Sequence, residues 1–129
     1  MMFTACVRAQ AGTVAWQGHA LREVRTLKDL PRPLQKSLGV GDTGMGGIAD
    51  RGGAFNPTDV VDGATPSRRF LVAGLDDDTA LVAVERGGLA RYVVVTWYSD
   101  VARQPAVRQT WTITETPQTL TALVERLSR

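Results

Sequence analysis

The clearest pattern in the chain is a series of strand-like apolar runs in its second half. Four runs have the length and the content of β-branched and aromatic residues typical of β-strands: residues 69–75, 79–86, 89–98 and 106–114. Three aspartates separate the first two runs, and Gly87-Gly88 is a two-residue hairpin signal between the next two. Because short connections join strands of opposite direction, we predict an antiparallel meander of four strands, or slightly more, over residues 69–114.

A helical pattern follows these runs. Thr116 is a typical helix cap and Pro117 suits a first helical position. Apolar residues then recur at i, i+3, i+4 and i+7: Leu120, Leu123, Val124 and Leu127. We predict a helix over residues 116–128 that packs its apolar stripe on one face of the sheet.

The run at residues 89–98 is apolar on both of its faces. Val93, Val95 and Trp97 fall on one face, and Tyr92, Val94 and Tyr98 fall on the other. A strand with one face in water would alternate between apolar and polar residues. We expect the C-terminal helix to cover one face, and the second face to meet the N-terminal third, the glycine-rich loop or a partner molecule.

The first forty residues have weaker patterns. Residues 13–27 alternate loosely and predict one strand that runs into an irregular stretch, while the prolines and the terminal glycine of residues 31–39 predict a short helix.

Residues 1–11 fit two interpretations. Ala9-Gln10-Ala11 has the form of a signal-peptidase site, which would make this segment the end of a signal peptide and the protein periplasmic. The other interpretation is a first β-strand of a cytoplasmic protein.

Residues 39–67 form a long loop with seven glycines in its first fifteen positions. Its start matches G-x-G-x-x-G, but a dinucleotide site needs a strand before this motif and a helix that begins within it. A helix-like segment precedes Gly39, and further glycines follow Gly44. Two interpretations remain: tight turns that tie the short helix to Ile48 and Phe55, or an exposed recognition loop.

Composition narrows the functional classes. The chain of 129 residues has the size of a single domain, and no stretch approaches the ~20 apolar residues of a membrane span. Residues 1–38 carry six cations against two acids, which suits either a solvated face or an acidic partner. Nucleic-acid binding is not expected, because the arginines are dispersed and the aromatic residues fall inside apolar strands.

Candidate catalytic chemistry is sparse. Cys6 and His19 are the single cysteine and histidine, so a disulfide within the chain and a structural zinc site are excluded, and we expect no metal or other cofactor. The aspartates at 76–78 lack the spacing of a calcium loop. Paired carboxylates for hydrolysis stay open, with Asp50, Asp59 and Asp62 of the loop as candidates.

We therefore expect an α+β fold in which an antiparallel meander sheet carries a C-terminal amphipathic helix on one face, with a short N-terminal helix and a long glycine-rich loop. This layout is similar to that of many small bacterial inhibitor and immunity proteins. The leading functional hypothesis is a non-enzymatic protein-binding module that uses the loop and the second sheet face. The alternatives are a small carboxylate-dependent hydrolase or ligand-binding enzyme, and a structural homodimer without a site. The candidate binding residues are Asp50, Arg51, Phe55, Asp59, Asp62, Arg68, Arg69, Tyr92 and Tyr98.

Overall fold

The computed structural model describes residues 12–56, 65–87 and 90–129, and for Met45 the backbone only. Within these residues the chain forms one antiparallel sheet of six strands and two α-helices. The strands are β1 (Thr13–Trp16), β2 (His19–Val24), β3 (Arg68–Leu75), β4 (Ala80–Arg86), β5 (Tyr92–Ser99) and β6 (Ala106–Ile113). The helices are α1 (Arg32–Leu38) and α2 (Leu120–Leu127). Each strand pairs with the next along the chain, so the sheet is a meander.

The predicted α+β class and antiparallel meander are confirmed, with β3 to β6 as the four predicted strands. The sheet has two further strands, β1 and β2, where the sequence predicted one strand and an irregular stretch. Trp16 pairs with His19, so only Gln17 and Gly18 join the two strands. Both of these residues have positive φ (50° and 83°), as a type I′ hairpin turn requires. Gln-Gly is a weaker turn signal than Asn-Gly, which explains why the hairpin was missed.

Both predicted helices are present. Helix α1 ends at Gly39, whose left-handed conformation (φ +92°) closes the last turn. Helix α2 begins at Leu120, one turn later than the predicted start at Thr116. Thr119 is its N-cap and accepts a hydrogen bond from the backbone N–H of Ala122 (3.1 Å). None of the helices in the described residues is long and apolar enough to cross a membrane.

The N-terminal third covers the second face of the sheet. Leucines of α1 and of the 3-10 turn Leu27–Asp29 pack with alternate residues of β3 and β4 in one core cluster. Its most buried members include Leu34, Phe70, Ala80 and Val82. Of the second face predicted for β5, Tyr98 lies in this cluster under the N-terminal leucines, while Tyr92 and Val94 are half-buried and lie outside it.

Helix α2 covers the first face, and the sheet curves around it. Leu120 and Leu123 are fully buried in a second core cluster with alternate residues of the central strands. In a flat sheet, β1 and β6 would lie roughly 24 Å apart, since adjacent strands are separated by about 4.8 Å. Yet the ring of Trp16 on β1 lies 6.0 Å from that of Trp111 on β6, edge to face. The two edge strands therefore turn toward each other over this core.

Candidate functional site

The first part of the glycine-rich loop is fixed to the sheet by Arg68, one of the predicted binding residues. Its guanidinium donates hydrogen bonds to the carbonyl oxygens of Leu38 (2.9 Å), Gly46 (2.9 Å) and Gly47 (3.2 Å). These bonds join the end of α1 to the 3-10 turn Gly44–Gly46. Burial, together with repulsion from Arg86, lowers the pKa of Arg68 from its ordinary value. Arg68 therefore holds the loop together from within.

The close approach of these segments explains the glycine motif. Gly39 has φ +92°, and a methyl group at its Cα would overlap the carbonyl oxygen of Gly46 and lie 2.7 Å from the Arg68 guanidinium. The motif follows a helix and leads into a 3-10 turn, so it lacks both the strand before it and the helix within it that a dinucleotide site needs. The interpretation as tight turns accounts for residues 39–47.

Asp50 and Arg51 also bond within the fold. The Asp50 carboxylate accepts from the Thr26 hydroxyl (2.8 Å) and from the backbone N–H of Leu27 (3.1 Å) and of Arg51 (2.8 Å). The Arg51 guanidinium donates to the carbonyl oxygens of Leu71 (3.1 Å) and Gln118 (2.9 Å). Asp50 thus joins the loop to the N-terminal segment, and Arg51 joins it to β3 and to the residues before α2.

A buried carboxylate organises the next group of predicted residues. Glu85 on β4 is 2% exposed, and Arg69 on β3 lies opposite it in the sheet register. One Glu85 oxygen accepts from Arg69 Nη2 (2.9 Å) and the other accepts from Arg91 Nε (2.8 Å). Burial alone would raise the pKa of Glu85, but the hydrogen bonds from Arg91 and Arg69 outweigh it and lower the pKa below its ordinary value. Glu85 is therefore an ionised anchor for two cations.

Phe55 lies against both arginines. The guanidinium carbon of Arg69 is 4.2 Å from the centre of the Phe55 ring and that of Arg91 is 5.9 Å from it. Arg69 also donates to the carbonyl oxygen of Gly53 (3.2 Å). The segment that carries Phe55 is thereby fixed to the end of the sheet.

Arg91 also borders a shallow depression of about 300 Å³. It is lined by Arg91 and Tyr92 at the start of β5 and by Thr114 and Thr116 after β6. The side chain of Arg91 is 53% exposed and that of Arg69 is 26% exposed, while Phe55 and Tyr92 are half-buried. We name Phe55, Arg69, Arg91 and Tyr92 together the arginine–aromatic surface.

The remaining predicted site residues do not join this surface. Tyr98 is 8% exposed and lies in the core cluster covered by α1, and this burial raises its pKa. Asp59 and Asp62 lie outside the described residues, as do residues 1–11 and the interpretations attached to them. Of the nine predicted residues, the structure thus brings Phe55 and Arg69 into contact, and Tyr92 lines the depression that Arg91 borders.

Sequence reasoning missed Arg91, which belongs to this surface, and the buried Glu85, which orients its arginines. The sequence does contain an indication that Glu85 is buried, because Glu85 falls on the same face of β4 as the buried residues Leu81 and Ala83. A carboxylate at such a position needs cationic partners. Arg69 lies opposite Glu85 on the neighbouring strand β3, and Arg91 directly precedes the other neighbouring strand, β5, at the same end of the sheet. The cluster is therefore predictable once the strand register is known.

The described residues offer donors and aromatic faces more than reactive groups. They contain no group of three or more histidine, cysteine, aspartate and glutamate side chains that could hold a metal ion. The one histidine, His19, bonds to Asp76 through Nδ1 (2.8 Å) at the opposite ends of β3 and β4 from Glu85.

Comparison of the chain with protein-family models, with curated proteins and with solved structures finds no match.

Proposed function

We propose that this chain is a non-enzymatic binding module that holds another protein against the arginine–aromatic surface. The observation that carries the proposal is the contact of the Phe55 ring with two arginines whose positions are set by buried Glu85, next to the depression that Arg91 and Tyr92 line. Aromatic residues and arginine are enriched among the side chains that dominate protein–protein binding energy. The shallow depression beside Tyr92 would receive a side chain of the partner.

Preorganisation supports this role. A flexible surface loses conformational entropy when it binds, at about 0.5 to 1.5 kcal/mol for each long side chain that becomes fixed. Arg69 is already held by Glu85, by the Gly53 carbonyl and by the Phe55 ring. A partner would therefore meet a surface whose central side chain is ordered before binding.

The electrostatics of the surface favour binding over proton transfer. A general acid or base works best when its pKa lies near the pH of the reaction. The pKa of Glu85 is lowered, so this carboxylate stays ionised at neutral pH and serves the two arginines. The second candidate activity is hydrolysis by loop carboxylates. Asp50 does not support it as a free carboxylate, because three hydrogen-bond donors already bond to Asp50.

The test is affinity capture from the native host with three versions of the purified protein. We expect the wild type to retain a partner that the double variant Phe55→Ala, Tyr92→Ala loses. The control is Val107→Ala, which removes an exposed apolar side chain (60% exposed) from β6. It should retain the partner, because β6 lies outside the arginine–aromatic surface. Circular dichroism and thermal melts confirm that both variants are folded.

Two outcomes would contradict the proposal. Equal capture by the wild type and by the double variant would remove the arginine–aromatic surface as the binding site. Light scattering of the purified protein provides the second check. A dimer that dissociates in the double variant would assign the surface to a second copy of this chain, in place of a different protein.

A further inference from the structure

A second surface with a different character lies along α1. It is a groove of about 690 Å³ lined by Lys28, Arg32, Pro33, Gln35, Lys36 and Val40. Three of the six lining residues are cations and none is a carboxylate. We name this site the basic groove.

The three cations have no ionic partner in the described part of the chain. Other arginines pair with acids, as Arg126 does with Glu115 and Arg103 does with Asp100. None of the ion pairs in the described residues includes a cation of the basic groove. Arg32 and Lys36 are also four residues apart on one helix, a spacing at which like charges repel and destabilise the helix. These three charges therefore contribute no ion pair to the described part of the fold.

The groove is built on a rigid base. Leu34 and Leu38 of α1 are buried in the core. The Gln35 amide donates to the carbonyl oxygens of Leu30 (2.7 Å) and Lys28 (3.3 Å), and so ties the 3-10 turn to the helix. These bonds fix the backbone that carries Lys28 relative to the backbone that carries the other two cations. The three cations are thus held on one rigid backbone unit, and their positive potentials add at the basic groove before a ligand binds.

The lining selects among anionic ligands. Pro33 and Val40 give the groove apolar walls, which suit the aliphatic side chains of a peptide. Single-stranded nucleic acid is held by aromatic side chains on which its bases stack, and the groove lining contains no aromatic residue. A volume of this size falls within the range of about 300 to 1,000 Å³ found for ligand sites and accommodates a few peptide side chains.

We propose that the basic groove binds an acidic segment of a partner protein. Carboxylates of the segment face Lys28, Arg32 and Lys36, and an apolar side chain lies between Pro33 and Val40. This site shares no residue with the arginine–aromatic surface, so the proposal can be tested independently of the function proposed above.

The test uses synthetic peptides, and therefore needs no knowledge of the native partner. The probe is a fluorescent nine-residue peptide of alternating Glu and Leu, and its neutral counterpart carries Gln in place of Glu. Binding is measured by fluorescence anisotropy at low and at high salt. We expect the acidic peptide to bind, the neutral peptide to bind at least fivefold more weakly, and added salt to weaken binding, since exposed charge pairs are screened.

Matched charge variants locate the site. Lys28→Gln, Arg32→Gln, Lys36→Gln should weaken binding of the acidic peptide by roughly tenfold, from three exposed charge pairs. The control Arg22→Gln, Arg103→Gln, Arg129→Gln changes the net charge equally but alters exposed arginines outside the groove. We expect it to stay within about twofold of the wild type.

Three results would overturn the proposal. Equal weakening by the two triple variants would mean that the peptide senses only the overall charge of the protein. Failure of the acidic peptide to bind more tightly than the neutral one would remove charge complementarity. Tighter binding of a nine-nucleotide single-stranded oligonucleotide, lost in the groove variant, would assign the groove to nucleic acid instead.

Discussion

The arginine–aromatic surface and the basic groove both present cations, but they differ in what those cations contact. Arg69 and Arg91 bond to the buried carboxylate of Glu85. The cations of the basic groove contact no carboxylate in the described part of the chain. We infer that charge near Glu85 stabilises the fold and orients a surface, and we propose that charge in the basic groove serves a ligand instead. Variants of the two surfaces should therefore differ in the free energy of unfolding.

The largest effect is expected for Glu85→Ala. Loss of the carboxylate leaves two arginines at a partly buried site without their counter-charge, and opens a cavity beside them. We expect the free energy of unfolding to fall by about 2 to 4 kcal/mol. Urea denaturation followed by circular dichroism measures it, with Glu85→Gln as a variant of equal size that should lose less. A loss below about 0.5 kcal/mol would show that the cluster does not stabilise the fold.

A smaller effect is expected for Gly39→Ala, which tests the anchored loop. Gly39 and Gly41 share φ +92°, so alanine is strained at both positions, by about 1 to 2 kcal/mol. Only at Gly39 does the added methyl group also meet neighbours, whereas it meets nothing within 4 Å at Gly41. We expect Gly39→Ala to cost at least about 1 kcal/mol more than Gly41→Ala. Equal losses would mean that the loop is not packed against itself at this point.

The acid side of the stability profile should also depend on Glu85. Its pKa in the folded state is lowered from 4.5, so the stabilisation is complete above that value and is lost as the pH falls through the folded-state pKa. The lowered pKa of Asp76, caused by hydrogen bonds that outweigh its burial, acts in the same direction. Urea titrations between pH 7 and pH 3 should therefore show a shallower decline for Glu85→Gln than for the wild type. Parallel profiles would contradict the assignment.

The smallest effect is expected for the triple variant of the basic groove. Removal of Lys28, Arg32 and Lys36 as charges relieves repulsion and breaks no ion pair of the described residues. We expect a change in the free energy of unfolding within about 0.5 kcal/mol, or a slight gain. A decrease in the free energy of unfolding above about 1 kcal/mol would show that these cations stabilise the fold, as Glu85 does, and would contradict the proposed difference between the two surfaces.

Strong local patterns made much of the fold predictable. The strands β3 to β6 follow from their β-branched runs and turn signals, and the stripe from Leu120 to Leu127 gave the C-terminal helix. The β1–β2 hairpin was missed because its turn uses Gln17, a residue whose positive φ is set by the paired strands and not by its own preference. The start of α2 was misplaced because Thr116 and Thr119 both have the side chain of an N-cap. The helix begins after Thr119, where the Leu120 N–H also donates to the Glu23 carboxylate (2.8 Å), a contact that local sequence does not reveal.

The candidate site was predictable only in part. Phe55 and Tyr92 were singled out because of the loop and the apolar strand that carry them, and Arg69 was singled out as one of two adjacent arginines. The contact between Phe55 and Arg69 depends on which residue of β3 faces Glu85, and a shift of one residue would turn Arg69 to the other face of the sheet. Asp50 was a candidate carboxylate for hydrolysis or binding, yet it bonds to residues 23 and 24 positions away, a distance that sequence patterns do not encode.

Hydrogen exchange of the backbone amides tests most directly whether the segment before Phe55 belongs to the scaffold. The Ala49 N–H bonds to the carbonyl oxygen of Arg68 (2.9 Å), and the Phe70 N–H bonds to that of Ala49 (2.8 Å). If the segment is part of the fold, both amides should be protected to nearly the same degree as that of Val95 in β5. Exchange of Ala49 and Phe70 at the rate of an unprotected amide would contradict the account, because the surface built on this segment would then lack its support.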